Sequence, residues 1–198
     1  MSTQKKEDAT YELILKTAKD LFFKEGKFNA TTQEIADAAG VNRTLINYYF
    51  RSRNNLFNVI FEDAIKEEEK QRETILFSSL PFKQKIEQYL EDALRVGQEY
   101  PYLETYIVTK MNEGCFYKEE EDWERFQSKF KEEFDEEVKK GNIENMDYIQ
   151  FILNIASLVS FPIALRPLFQ ATLKLSEKEY DKILKERKEV ILKMLFKS

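Results

Sequence analysis

The chain has no histidine, a single cysteine, five glycines and four prolines among its 198 residues. Each scarcity excludes something. Without histidine, the side chain most often used for proton transfer near neutral pH is missing. Cys115 stands alone, so no disulfide forms within one chain and no cysteine-based metal site can be built. No glycine-rich loop is present that could cradle a phosphate. Adjacent carboxylates such as Glu119 and Glu120 do not share a helix face, and nothing positions a substrate beside them. An enzyme is therefore not expected, and neither catalytic residues, a metal nor a cofactor is assigned. The shortage of turn formers, beside 42% hydrophobic and 34% charged residues, favours long helices. No internal repeat and no strand-like alternation of useful length occurs. The opening segment MSTQKKEDAT is polar and carries no apolar leader, which predicts a cytoplasmic protein.

The longest apolar stretch, 151–169, contains Asn154, Ser157, Ser160, Pro162, Arg166 and Pro167. It barely reaches spanning length, so a buried helix or a subunit interface is expected and not a membrane segment. The net charge of -5 is unevenly distributed. Residues 1–60 hold nine Lys and Arg against seven Asp and Glu, a balance of +2, which leaves -7 for the remainder. A basic head on an acidic body suits a protein whose first segment meets nucleic acid.

Residues 31–50, TTQEIADAAGVNRTLINYYF, carry the most specific pattern. Thr31 and Glu34 have the spacing of a capping box. Gly40 can close that helix in a left-handed conformation, and Asn42 can cap the next one. Small Ala36 and Ala39 let two short helices approach, while Ile35, Val41 and Ile46 fill the wedge between them. Asn42, Arg43, Thr44, Asn47 and Tyr48 then remain outward on the second helix. A short polar helix of this kind fits a major groove about 12 Å wide. An ordinary core hairpin would have no use for Arg43, Asn47 and paired tyrosines followed at once by Arg51 and Arg53.

Before this segment, residues 8–25 form an expected helix with Leu13, Ile14, Ala18, Leu21 and Phe22 at helical spacing and Gly26 as its stop. After it, a long helix runs from about Ser52 to Phe77 and joins head to body without a flexible linker. Pro81, Pro101, Gly114, Gly141 and Ser176 divide the rest into five helices, at about 82–98, 101–113, 119–140, 145–170 and 176–196. The expected architecture is all-α, with about nine helices by this punctuation. A three-helix head occupies residues 1–55, and a helical ligand-binding and dimerisation domain occupies 56–198. The acid-rich stretch 119–137 reads as a solvated helix face.

Over about Ala9 to Phe57 the chain resembles the TetR family of transcriptional regulators. The shared elements are Thr31-Thr32, Ile35-Ala36, Ala39-Gly40-Val41, Tyr48-Tyr49-Phe50 and Ser52-Arg53-Asn54-Asn55-Leu56. The segment from Phe161-Pro162 to Arg166-Pro167-Leu168 also looks like a helix of some members. Asn47 departs from the family's usual tyrosine, Leu45 from a small or polar residue, and Arg53 from lysine, which keeps charge but adds a forked geometry.

The resemblance implies a ligand-responsive regulator, a repressor in most relatives, that binds double-stranded operator DNA as a homodimer. Arg43 is the best candidate for a base edge, most readily guanine. Asn42, Thr44, Asn47 and Tyr48 would add base or phosphate contacts, and Thr32, Gln33, Tyr49 and Arg53 would hold phosphates. The family dimer is a four-helix bundle of the last two helices. The sequence offers apolar residues there at Phe151, Ile155, Leu158, Val159, Ile183, Val190 and Ile191. Tyr89, Tyr102, Tyr106, Phe116, Trp123, Phe126 and Phe130 are the aromatics that could line an effector cavity, though aromatics also dominate ordinary cores. With few cations near them, an apolar effector that is neutral or cationic is expected. The competing reading is a helical small-molecule-binding or interaction protein that has lost operator binding. Arg43→Ala is expected to cost about 1–3 kcal/mol of operator binding and relax specificity at one position, whereas Arg53→Ala weakens all sequences alike. Affinities for a selected operator and its single-base variants check both.

Overall fold

The computed structural model describes residues 3–112 and 120–197. Among these it contains ten α-helices and no strand. The chain divides into two compact units, Met1–Gln71 and Arg72–Ser198, with the division inside the fourth helix.

The head unit begins with α1 (Thr3–Lys19). It continues into a π-helical turn, Asp20–Lys24, closed by the Glu25 amide donating to Asp20 O at 3.0 Å. That wider turn has a packing reason. Leu21, Phe22 and Phe23 are consecutive and all buried, which an α-helix with one apolar stripe does not accommodate. Next come α2 (Thr32–Ala39), α3 (Arg43–Phe50) and the start of α4 (Arg53–Leu76). Phe57 meets Phe22 and Phe23 edge-on at 5.2 and 6.0 Å between centroids and stacks on Phe61 at 6.0 Å. These edge-to-face and offset pairs are the favoured ring geometries.

The body unit holds the end of α4, then α5 (Phe82–Glu99), α6 (Leu103–Asn112) and α7 (Glu120–Lys139). It continues with α8 (Tyr148–Ala164), α9 (Arg166–Leu173) and α10 (Glu177–Leu195). Helices α5, α8 and α10 pack on one another. Their core includes Phe82, Leu90, Leu94, Phe151, Val159, Ile163, Ile191 and Leu195, with Phe130 and Phe134 added from α7. Gly97 of α5 marks a close approach, because a Cβ there would overlap the buried Ile163 side chain of α8.

The single helix expected over about 145–170 is two helices. Pro162 lies inside α8, and α8 and α9 bend by 67° where they meet. Proline has no N–H, so the carbonyl of Leu158, four residues earlier, loses its helical partner. Helix α10 replaces it: Arg187 Nε donates to Leu158 O at 3.3 Å, and the Tyr180 hydroxyl donates to Pro162 O at 2.8 Å. Burial pushes the Tyr180 phenol pKa up against the opposing pull of Arg166 and Arg187, so it stays a donor. Arg166, itself buried, pairs with Asp181 at 2.8 Å and lies over the Tyr180 ring. The last helix thus supplies the groups that the broken helix lacks. Among the described residues no single helix is long and apolar enough to cross a membrane.

Gly97→Ala gains about 1 kcal/mol of helix propensity. Overlap with Cδ1 and Cγ1 of Ile163, with Cγ2 also close, places the overpacking cost near 3 kcal/mol. A net loss of about 2 kcal/mol in urea unfolding is expected, partly recovered by adding Ile163→Val.

Candidate nucleic-acid interface and ligand cavity

The two short helices of the head are fixed by local hydrogen bonds at each end. The Thr31 amide donates to Glu34 Oε2 at 2.7 Å, and the Glu34 amide donates back to Thr31 Oγ1 at 3.2 Å. The bonds that Glu34 Oε2 accepts, from the Thr31 amide foremost and from the Thr31 hydroxyl at 2.8 Å, hold its carboxyl below its ordinary pKa. Gly40 closes α2 at φ 64°, and its amide reaches Ala36 O and Asp37 O. Asn42 then caps α3, its Oδ1 accepting from the Thr44 amide at 2.9 Å and the Thr44 hydroxyl at 2.7 Å. Ile35, Ala36, Ala39 and Ile46 are buried between the helices, with Val41 half-buried beside them.

With that wedge inward, Arg43, Thr44, Asn47 and Tyr48 are exposed together along α3, Tyr48 at 72% of its full area. Arg43 Nε donates to Thr32 Oγ1 at 3.0 Å across the inter-helix turn. This bond aims the guanidinium and leaves both Nη groups without a partner among the described residues, and those are the groups a guanine edge engages. Thr32 accordingly orients Arg43. Gln33 is exposed and donates to Asp37 Oδ1 at 2.7 Å. Tyr49 is half-buried, edge-on to Tyr11 at 5.6 Å and to Tyr48 at 5.1 Å, so its ring belongs to the head's packing.

Arg53 differs from its expected position. Its Nε donates to Ala30 O at 3.1 Å, its guanidinium lies over Phe22 and Phe57, and its Nη2 is enclosed without a protein partner. An arginine held this way ties the first turn of α4 to the chain entering α2, and it is not poised as a free phosphate clamp. The sequence reading passed over Arg51, which is exposed directly after α3 at φ 62°. Its place beside two other arginines was the available signal.

The body holds an apolar-walled cavity of about 190 Å³. Tyr89, Phe126 and Phe130 line it as expected, together with Ile75, Leu76, Phe82, Ile86, Ile152, Ile155 and Ala156. Tyr102 and Tyr106 are half-buried and lie outside its wall. Phe116 falls outside the described residues, as does the side chain of Trp123. Two cations in the wall were not anticipated. Lys85 is only 3% exposed and donates to both carboxylate oxygens of Glu133, at 2.7 and 2.8 Å. Arg72 is half-buried and has no ion-pair partner among the described residues. These charges reverse the expectation of a wall poor in cations, because helix periodicity alone does not say which lysine turns inward.

The apolar residues expected at a subunit interface separate into two groups. Phe151, Ile155, Val159 and Ile191 are buried in the protomer's own core and present no outward face, while Leu158 is half-buried. Ile183 and Val190 are exposed. Outward apolar surface on α8 comes instead from Ile149, Leu153 and Phe161, and on α10 from Met194 beside Ile183 and Val190.

Arg53→Ala is expected to destabilise the head by about 1–2 kcal/mol in the absence of DNA, through loss of one hydrogen bond and the ring contacts. Urea unfolding without DNA measures it, and unchanged stability would return Arg53 to a purely phosphate-facing role.

Comparison with known proteins agrees with this geometry. Residues 14–60 match the family of bacterial regulatory proteins called the tetR family. No curated protein sequence matches the chain. Solved structures share the fold at low identity. A TetR family transcription regulator from Marinobacter aquaeolei is 14% identical with a TM-score of 0.58, covering 98% of this chain and 99% of its own. A TetR-family transcriptional regulator from Haemophilus influenzae is 16% identical at 0.59, covering 99% and 100%. AibR, solved with isovaleryl coenzyme A and operator DNA, is 15% identical at 0.63, covering 94% and 98%.

Proposed function

From the premise that this chain belongs to the tetR family of transcription regulators, we propose a ligand-responsive repressor that binds a near-palindromic operator as a homodimer. One observation carries the DNA-reading part. The face of α3 formed by Arg43, Thr44, Asn47 and Tyr48 is exposed, and both Nη groups of Arg43 remain available. Arg43 reads a guanine edge, with Thr44, Asn47 and Tyr48 contacting neighbouring bases or phosphates. Asn42, Thr32 and Gln33 border that face, Asn42 and Thr32 setting the geometry of α3 and Arg43. Arg51 contributes a phosphate contact from the end of the helix.

Dimerisation rests on the outward stripes of α8 and α10. Ile149 and Leu153, one helical turn apart, sit on the first. Ile183, Val190 and Met194 sit on the second. A twofold axis relating these stripes buries the same surface on both subunits. It also brings two reading helices to half-sites about one DNA turn apart, or a little more. The body cavity receives the effector, and AibR, a protein of the same fold, is known in complex with isovaleryl coenzyme A and operator DNA. The last turn of α4 supplies Arg72, Ile75 and Leu76 to the cavity wall, and the first turn of the same helix carries Arg53 of the head. An effector that prefers one position of α4 shifts the population away from the spacing that fits the operator. A dimer seated on promoter DNA blocks transcription by occupancy.

Selection of bound sequences from random duplex DNA, followed by a salt titration, tests the reading. A near-palindromic site is expected to emerge, and log affinity should fall linearly with log salt, by about 0.9 per phosphate contacted. No enriched sequence, or an affinity indifferent to salt, would favour a helical interaction protein instead.

A further inference from the structure

The charges in the cavity wall specify more than an apolar effector. Among the described residues the wall carries Arg72 and Lys85 and no carboxylate. Lys85 is already neutralised, since both hydrogen bonds of its ammonium go to Glu133. Arg72 has no such partner among the described residues, yet it is half-buried at the same cavity. A guanidinium in that position presents a planar fork of donors to anything entering beside it, and a carboxylate matches that fork. The same wall carries Ile75, Ile86, Phe126 and Ile152, which offer no hydrogen bonds from their side chains. The volume limits the rest of the ligand. A cavity of about 150 Å³ holds benzene, so the 190 Å³ here accommodates a hydrocarbon body of about six to eight carbons.

We propose that the effector is a small monocarboxylate, its carboxylate paired with Arg72 and its aromatic or aliphatic body in the cavity between α4, α5, α7 and α8. This rests on the reading of the body cavity as an effector site, and it names the chemistry that the site selects. Lys85 and Glu133 form a fixed polar floor that holds α5 to α7, and they are not the ligand's partners. An amine entering the same cavity would face an unneutralised arginine, and an uncharged amide would leave the guanidinium without an anion. Selectivity therefore runs carboxylate, then amide, then amine.

Titration calorimetry with the full-length protein tests this, using benzoate, phenylacetate and hexanoate as probes. Benzamide and hexanamide serve as neutral counterparts, and benzylamine and hexylamine as cationic ones. The carboxylates are expected to bind at least about 10-fold more tightly than the amides, and the amines not to bind measurably. Arg72→Gln is expected to weaken carboxylate binding roughly 10- to 100-fold while leaving amide binding unchanged, and Arg72→Lys to keep the carboxylate preference in part. Thermal melts of both variants establish that they fold. Amides binding as well as carboxylates, a preference for amines, no binding by any carboxylate probe, or an unchanged preference in Arg72→Gln would each overturn the assignment. The same probes added to the protein–DNA complex separate this inference from the regulatory reading. Carboxylates that bind without releasing DNA contradict the regulation and leave the ligand class standing. Release by ligands of another charge does the reverse.

Discussion

The packing of α2 against α3 is the constraint from which the function follows. It is set within a few residues by a capping box at Thr31, a left-handed Gly40 and an Asn42 cap. With both helix ends satisfied, the pair buries the wedge of Ile35, Ala36, Ala39 and Ile46, with Phe50 added at the end of α3. Alanines at two of those positions permit the approach, since larger side chains would separate the axes. Once that stripe faces inward, the periodicity of an α-helix leaves Arg43, Thr44, Asn47 and Tyr48 no direction but outward. The reading face is thus a consequence of packing. Thr32 adds the last degree of order by accepting the Nε–H of Arg43, which fixes the plane of the guanidinium before any DNA arrives.

The body solves a different problem. Its helix α8 is apolar over most of its length and is interrupted by Pro162, which removes a backbone donor in the middle of a packed layer. Arg187 and Tyr180 of α10 return hydrogen bonds to the Leu158 and Pro162 carbonyls, and Arg166 and Asp181 close the joint with an ion pair. A buried lysine beside a largely apolar cavity is tolerated because Glu133 accepts from it through both oxygens. Polar groups in this unit therefore occur where a backbone or a charge required a partner, and the arginine at the cavity without one stands apart.

What the sequence could reveal depended on how local the physics was. The caps, the glycine and the alanine pair act over three or four residues, so TTQEIADAAGVNRTLINYYF was sufficient to place the head's helices and their outward side chains. The capping box at Thr31 formed as its spacing indicated, and Ser176 with Glu179, at the same spacing, forms a second. The orientation of Arg53 was not available in the same way, because its partners Ala30, Phe22 and Phe57 are brought to it by tertiary packing. Helix α8 defeated pattern reading for another reason. A helix apolar around its circumference gives no period by which to separate the inward Phe151, Ile155 and Val159 from the outward Ile149, Leu153 and Phe161. Lys85 meets Glu133 across 48 residues, a pairing that no window of sequence contains. The break between α8 and α9 was marked by two prolines and could have been found from them.

Guanine N7 lies in the major groove, so its methylation in an operator–protein complex reports directly on whether α3 enters that groove. Dimethyl sulfate protection over a selected operator should show shielded guanines in two symmetric patches, centred about one helical turn apart or slightly more. A bound operator whose guanine N7 atoms all remain reactive would contradict a reading helix led by Arg43.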